Sequence, residues 1–183
     1  RTGGVNRYAA AASVTALLNG FQNSADMTIE PHHLDDERLP KVVSKLADER
    51  QIEAFREAVC DGTRALWTAM VTEPQCPILH GTYLKWLQLD KPVFGFERWM
   101  CDEFQDANPV MSDIVEQQHA HGAQVIRVGD PSQQVYSWRG AISALDSVDH
   151  DQASHFELTQ SFRFGPRVAA MANQVLGFAG RGE

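Results

Sequence analysis

Two short stretches carry side chains whose types and spacing can do chemistry. Cys101-Asp-Glu-Phe-Gln-Asp106 sets two adjacent carboxylates just past an apolar run. At such an edge an Asp can hold the water shell of a nucleotide-bound Mg²⁺, and the neighbouring Glu can orient or deprotonate an attacking water. Asp102 and Glu103 are the candidates for these roles. Val128-Gly-Asp-Pro-Ser-Gln-Gln-Val-Tyr-Ser-Trp-Arg-Gly-Ala141 follows a second apolar run. Asp130 stands in its first turn, and Gln133 can sense a terminal phosphate by hydrogen bonding. Tyr136 and Trp138 alternate with Ser137, and such rings stack on unpaired bases, typically worth ~1–3 kcal/mol per base. Arg139 can pair with a carboxylate or a backbone phosphate. A third stretch, Leu158-Thr-Gln-Ser-Phe-Arg-Phe-Gly165, offers Arg163 for charge on a transferring phosphoryl group and Phe162 for stacking on a base. Magnesium chemistry beside base-stacking aromatics implies an ATP-driven motor on a nucleic acid.

Each piece taken alone has a plainer reading. Asp102-Glu103 by itself reads more simply as a solvated acidic turn. Tyr136 and Trp138 fit a core as well as a stacking platform. Arg163 fits a salt bridge at a helix entry, and Phe162 fits a core. Their order along the chain, and the elements that carry them, decide between the readings.

Those elements divide the chain in two. Residues 1–76 read as a helical subdomain. Val14, Leu17, Leu18 and Phe21 recur at helical spacing. Pro31 and Pro40 interrupt, and the stretch from Lys41 to near Val71 then carries Val42, Leu46, Ile52, Phe55, Val59, Leu66 and Met70. Gly62 is expected to split that stretch into two helices. Residues 77–183 change texture. A helix over Thr82–Leu89 precedes a short strand at Arg98–Cys101. Asn108 caps a helix that has Pro109 in its first position and Gly122 at its end. A strand at 124–128 follows, then a helix near Ala141–Ser147, a strand at Ser154–Leu158, and a last helix from Gly165-Pro166 to Phe178. Strand alternating with helix is the grammar of a parallel α/β sheet. The expected fold class is therefore α/β: part of a parallel sheet flanked by helices, preceded by a helical subdomain.

Composition sets the outer limits. The 183 residues are 43% hydrophobic and 22% charged, ordinary for a globular protein. No apolar run approaches the ~18 residues of a membrane span. Cys60, Cys76 and Cys101 form no C-x-x-C pair, so neither a disulfide framework nor a zinc site is indicated and a reducing, intracellular setting is expected. The net charge is −8. Basic and acidic side chains number 8 and 11 in residues 1–76, and 8 and 13 in residues 77–183, so neither part is a polycation. Strand binding must rest on stacking and a few placed arginines rather than on bulk charge.

In order and spacing the three stretches resemble the UvrD/Rep-type superfamily 1 DNA helicases. Asp102-Glu-Phe-Gln-Asp106 is similar to their second nucleotide motif (Walker B), Gly129–Ala141 to their third and Leu158–Arg163 to their fourth. His80-Gly-Thr-Tyr-Leu-Lys-Trp-Leu-Gln-Leu-Asp-Lys-Pro92 and Thr159-Gln-Ser-Phe-Arg-Phe-Gly165 resemble the F-box DNA helicase branch, as does Ser24-Ala-Asp-Met-Thr-Ile-Glu30 within its helical insertion. The resemblance implies a RecA-like sheet, with residues 77–183 as the later half of a first motor domain. It implies ATP and Mg²⁺ as cofactors and single-stranded DNA or a duplex junction as partner, with 3′ to 5′ movement. Asp102 would organise Mg²⁺ through water and Glu103 would be the catalytic base. Gln133 would contact the terminal phosphate, with Asp130 beside it on the nucleotide side. Tyr136 and Trp138 would touch the strand, Arg139 would couple strand to nucleotide, Arg163 would bind phosphate and Phe162 would stand at the adenine.

One part of such a motor is missing from the sequence. A phosphate loop needs G-x-x-x-x-G-K-[ST], and none of Lys41, Lys45, Lys85 and Lys91 follows a glycine. The family places this loop upstream of the insertion and a second motor domain downstream. The chain is therefore expected to be a piece of a longer motor and inactive alone. The rivals are a non-enzymatic DNA- or protein-binding remnant, and a magnesium nuclease using Asp102, Glu103 and Asp130. His32-His33 and His119/His121 are expected to be solvated, since no third ligand stands at a telling spacing. Ser132 and Ser161 have no partner His for a hydrolase triad. Trp67 and Trp86 are expected in the core.

Overall fold

The computed structural model describes residues 7–41, 43, 48–134, 145, 153–160 and 162–178. It is a mixed α/β structure in which a helical pair, a bridging helix and a two-stranded parallel sheet follow one another along the chain.

Helix α1 (Arg7–Asn23) buries Leu17, Leu18 and Phe21, the face that its periodicity marks out. Helix α2 (Glu49–Thr72) starts where the Asp48 carboxylate accepts from the Arg50 amide at 2.9 Å. It runs unbroken past Gly62, contrary to the expected division. A mid-helix glycine costs up to ~1 kcal/mol against alanine, and burial on either side outweighs that. Phe55, Val59, Cys60 and Thr63 lie on one buried face, and a Cβ at Gly62 would stand 3.3 Å from Val14 of α1. The α1–α2 core gathers Leu17, Phe21, Phe55, Val59 and Cys60 with Ile29, Leu34 and Val43 from the connection. Trp67 packs edge-on against Phe21 at 5.4 Å, at the margin of this core. Arg56 donates to the Leu34 carbonyl at 2.6 Å, and Arg64 to that of Ile29 at 2.8 Å, fastening the connection to α2.

Helix α3 (His80–Asp90) is packed in the opposite sense to its hydrophobicity. Its buried stripe is polar: Thr82, Lys85 and Gln88. Gln22 donates to Thr82 Oγ1 at 2.9 Å. Lys85 Nζ donates to the carbonyls of Ser24, at 2.9 Å, and Asp26, and lies 4.3 Å from the centre of the Phe21 ring. Gln88 donates to the Ala25 carbonyl and, at 2.6 Å, to Asp113. Tyr83 and Trp86 face outward instead. Trp86 is 58% exposed, so the expectation of a core tryptophan fails there, because the inner face is taken by groups that satisfy the backbone carbonyls after α1.

Strands β1 (Arg98–Cys101) and β2 (Gln124–Arg127) pair in parallel, from Arg98 against Gln124 to Cys101 against Arg127. Helix α4 (Pro109–Ala120) connects them. Asn108 Oδ1 accepts from the Met111 amide at 2.9 Å, Pro109 follows at the first helical position, and Gly122 turns the chain away with φ +93°. A small core forms from Phe104, Ala107 and Val115 against Trp99, Cys101 and Val125. The other face of the ladder presents Met100 and Ile126 to solvent. Helix α5 (Pro166–Phe178) begins as expected at Gly165-Pro166 and buries none of its residues. The expected strand at Ser154–Leu158 does not form. Phe156 and Leu158 are almost fully exposed, and β1–β2 is the one ladder among the described residues, so no described strand pairs with the segment there. The expected helix near Ala141–Ser147 lies outside the described residues apart from Leu145. Among the described residues no helix is long and apolar enough to cross a membrane.

Removing the buried Lys85 ammonium takes a donor from the part-buried carbonyls of Ser24 and Asp26, at roughly 1.5–3 kcal/mol for hydrogen bonds to a charged group. Lys85→Met is therefore expected to lower the urea midpoint by an equivalent amount, while Trp86→Ala shifts it by less than ~0.5 kcal/mol. Equal losses in the two variants would show that the polar seam is not what holds α3 in place.

Candidate active site

The parallel pairing brings two loops together at the carboxyl ends of β1 and β2, where open α/β sheets place their ligands. The Val128 amide donates to the Cys101 carbonyl at 2.8 Å, and the Phe104 amide to the Val128 carbonyl at 2.9 Å. Asp102 and Glu103 thereby stand beside Gly129 and Asp130. Both acidic side chains are exposed, and the Glu103 amide donates to Asp102 Oδ1 at 3.0 Å. Glu103 has φ +51° and ψ +38°, in the left-handed region. A residue with a Cβ pays roughly 1–2 kcal/mol there, and strain of this kind concentrates at functional positions.

Sequence reasoning missed the residue that joins the two loops. Gln105 is buried. Its Nε2 donates to Glu103 Oε2 at 2.6 Å, and its Oε1 accepts from the Asp130 amide at 3.0 Å. Its carbonyl accepts from Gln134 Nε2 at 3.1 Å. Gly129 lies so close that a Cβ there would stand 2.2 Å from Gln105 Oε1. One amide thus fixes both the direction of the Glu103 carboxylate and the start of the second loop. The signal in the sequence was a lone amide between the Asp102-Glu103 pair and Asp106, with nothing to say what it would reach.

Asp130 shapes the second loop. Its Oδ1 accepts from the amide and hydroxyl of Ser132, at 2.9 and 2.6 Å, and its Oδ2 from Gln133 Nε2 at 2.6 Å. The Ser132 hydroxyl, with help from Gln133 and the Ser132 amide, holds the Asp130 carboxyl below the usual range. Gln133, exposed, is turned back onto Asp130 in this arrangement. Behind the loops Arg127 pairs with Glu116 and sits 5.3 Å from the Phe104 ring, and burial pushes the Cys101 thiol up.

The structure therefore gathers Asp102, Glu103, Asp130 and Gln133 at one sheet edge. Phe162 is 89% exposed and Arg163 follows it, on the segment leading into α5. Tyr136, Trp138 and Arg139 lie outside the described residues. The donor set at the edge is hard oxygen, which suits Mg²⁺ held by one carboxylate with most of its water retained. Among the described residues Asp102, Glu103 and Asp130 do not converge as a three-carboxylate cage, which disfavours the nuclease reading. Of the two histidine pairs expected to be solvated, His33 is buried and bonded through both ring nitrogens.

This edge lies in a segment with known relatives. Residues 91–152 match the UvrD/REP helicase N-terminal domain. The chain is 46% identical over 95 residues to an F-box DNA helicase 1 of Gallus gallus, covering 51% of this chain and 9% of that protein. It is 28% identical over 185 residues to a probable DNA helicase II homologue of Mycoplasma pneumoniae, covering 90% and 25%. It is 31% identical over 177 residues to an F-box DNA helicase protein 1 of Schizosaccharomyces pombe, covering 93% and 19%. No solved structure matches. Residues 91–152 thus belong to the UvrD/REP helicase N-terminal domain family, and similarity to DNA helicases of that type extends over most of the chain. The chain spans a quarter or less of the length of these three relatives.

The left-handed backbone at Glu103 gives a stability test. Glu103→Gly and Glu103→Ala both delete the carboxylate and differ only in the Cβ. The glycine variant is expected to be the more stable of the two by ~1 kcal/mol in urea unfolding. An alanine variant equal to or more stable than the glycine variant would remove the strain from the account.

Proposed function

We propose that this chain is part of an ATP-dependent DNA helicase, contributing the hydrolytic edge of its nucleotide site and part of its grip on single-stranded DNA. The observation that carries the reading is the buried Gln105 bridge. It locks Glu103 of one strand-end loop to Asp130 of the next, within the segment that matches the helicase domain. Bound Mg²⁺–ATP supplies the phosphoryl group and neutralises its charge. Asp102 stands to hold the metal's water shell. Glu103, aimed by Gln105, stands to take the proton of the attacking water. Gln133 is placed to exchange its bond to Asp130 for a terminal phosphate oxygen, so that the second loop changes shape with the nucleotide. Tyr136, Trp138 and Arg139 follow this loop in the sequence, which supports a short route from nucleotide state to strand contact. Arg163 and Phe162 are assigned to phosphate and adenine. Movement from 3′ to 5′ and duplex unwinding rest on the family resemblance.

The 183 residues contain no Gly-Lys phosphate loop. We infer that the chain by itself does not hydrolyse ATP, and that the parent protein does. In the full-length parent, single-stranded DNA should stimulate ATP hydrolysis, and Glu103→Gln should reduce it at least ~100-fold, the usual scale for loss of a general base, with nucleotide binding retained. A steady, Glu103-dependent ATPase in the 183-residue chain alone would contradict the division of labour. The same missing loop favours a second reading, a non-enzymatic remnant. Finding no phosphate loop in the coding region upstream would select it.

For the strand, Trp138→Ala in the full-length protein is expected to weaken single-stranded DNA affinity by roughly 5- to 150-fold, the equivalent of one lost stack. Trp86→Ala is an apt control because Trp86 is exposed on α3. Equal losses by fluorescence anisotropy would count against a stacking role for Trp138.

A further inference from the structure

Away from the sheet edge, the connection between α1 and α2 folds three ligating side chains onto one point. His32 Nε2 lies 2.8 Å and His33 Nε2 2.9 Å from the same oxygen, Asp26 Oδ2. The ligand atoms of all three residues fall within 4.8 Å of one another. The two imidazole rings are 4.3 Å apart. We propose that Asp26, His32 and His33 form a binding site for a borderline divalent transition metal, Zn²⁺ in the first instance, with its remaining positions open to water.

The donor set is the first reason. Two imidazoles and a carboxylate suit zinc and its neighbours rather than Mg²⁺ or Ca²⁺. At Zn–N and Zn–O lengths of ~2.0–2.2 Å, tetrahedral ligands sit roughly 3.3 Å apart. The 2.8 and 2.9 Å contacts to Asp26 Oδ2 lie a few tenths of an ångström inside that spacing, and the exposed His32 and Asp26 side chains are the ones able to adjust.

The second reason is that one ligand is already built in. The His33 side chain is buried and cannot wander. Phe21 packs against its ring at 5.5 Å. Helix α1 lies directly on its backbone, so close that a Cβ at Gly20 would stand 2.2 Å from the His33 carbonyl oxygen. Its Nδ1 lies 3.0 Å from the Glu30 amide and 2.9 Å from the Glu30 carbonyl. Either neutral tautomer is therefore satisfied. Without metal, Nδ1 accepts from the Glu30 amide while the Nε2 proton goes to Asp26. With metal, the ring proton resides on Nδ1 and is donated to the Glu30 carbonyl, which frees the Nε2 lone pair. An imidazole anchored to a backbone carbonyl through its other nitrogen is the usual support of a metal-binding histidine.

The surroundings set the strength and the consequence. Ser24 Oγ lies 3.1 Å from His33 Nε2, a further polar neighbour. The Lys85 ammonium, bonded to the Ser24 and Asp26 carbonyls, shapes the turn but opposes a second cation, so affinity should fall below that of a closed four-ligand structural site. An ion here would tie the turn after α1, which α3 grips, to the segment that α2 grips, stiffening the join between the helical pair and α3.

The test uses the 183-residue chain freed of metal by a chelator, titrated with Zn²⁺ by calorimetry and with Co²⁺ by visible absorption. One ion per chain should bind, with a d–d band of low-coordinate Co²⁺ and a raised thermal midpoint. His32→Ala and Asp26→Asn alter exposed side chains outside the apolar core, and each should weaken binding at least ~10-fold. Cys76→Ser and His119→Ala should leave it unchanged. Unaltered affinity in His32→Ala and Asp26→Asn, loss of binding in Cys76→Ser or His119→Ala, or no saturable binding to the unsubstituted 183-residue chain would each overturn the proposal.

Discussion

A parallel pair of strands only four residues long cannot be held by its ladder hydrogen bonds alone, and the α/β part of the fold is organised around that constraint. Helix α4 supplies one remedy by covering the face that carries Trp99, Cys101 and Val125, with Phe104, Ala107 and Val115 filling the gap. Gln105 supplies the other. Its buried amide joins the loops that leave the two strands, and a buried amide must find partners or cost stability. The group that closes the ladder's open end is the same one that aims Glu103. Stability and the proposed chemistry share one side chain.

A similar economy links the helical pair to the sheet. The carbonyls after α1 need donors, and α3 provides them through Lys85 and Gln88, leaving Tyr83 and Trp86 on the surface. Gln88 also bonds Asp113 of α4, and Asn108 at the head of α4 bonds Asn23 at the end of α1. A polar seam of this kind is directional where an apolar one is not, so it sets the angle between the two parts as well as holding them. The histidine–aspartate cluster lies against the same seam, which is why an ion there would act on the join between the helical pair and α3.

At the sheet edge, the strained conformation of Glu103 and the absence of a Cβ at Gly129 answer one requirement. Two loops must approach closely enough for a single amide to span them; the backbone yields at Glu103, and at Gly129 no side chain stands in the way. Asp130 then shapes its own turn with both carboxylate oxygens, leaving Asp102 and Glu103 as the exposed acids of the pair. An asymmetric acidic edge fits one water-shelled ion and one base better than it fits a cage of carboxylates.

The residues at the sheet edge were legible in the sequence because their signals are local. The two strands, the Asn108–Pro109 start of α4, its end at Gly122 and the start of α5 at Gly165-Pro166 each follow from propensity or capping within a few positions. The acidic and Gly-Asp motifs mark strand ends for the same reason. What failed was whatever depended on distant partners. Gly62 stays inside α2 because α1 packs there. Trp86 is exposed because α3 turns its polar stripe inward. Ser154–Leu158 forms no strand because, among the described residues, no other strand lies alongside it. Gln105 and His33 took their roles in the same way. By itself the sequence determined which residues could do chemistry and the family of the segment that holds them. Only the tertiary structure decided that a buried amide, Gln105, joins the two strand-end loops and that a buried imidazole, His33, meets Asp26, because a polar side chain's partner is chosen by what the rest of the chain brings within hydrogen-bond reach.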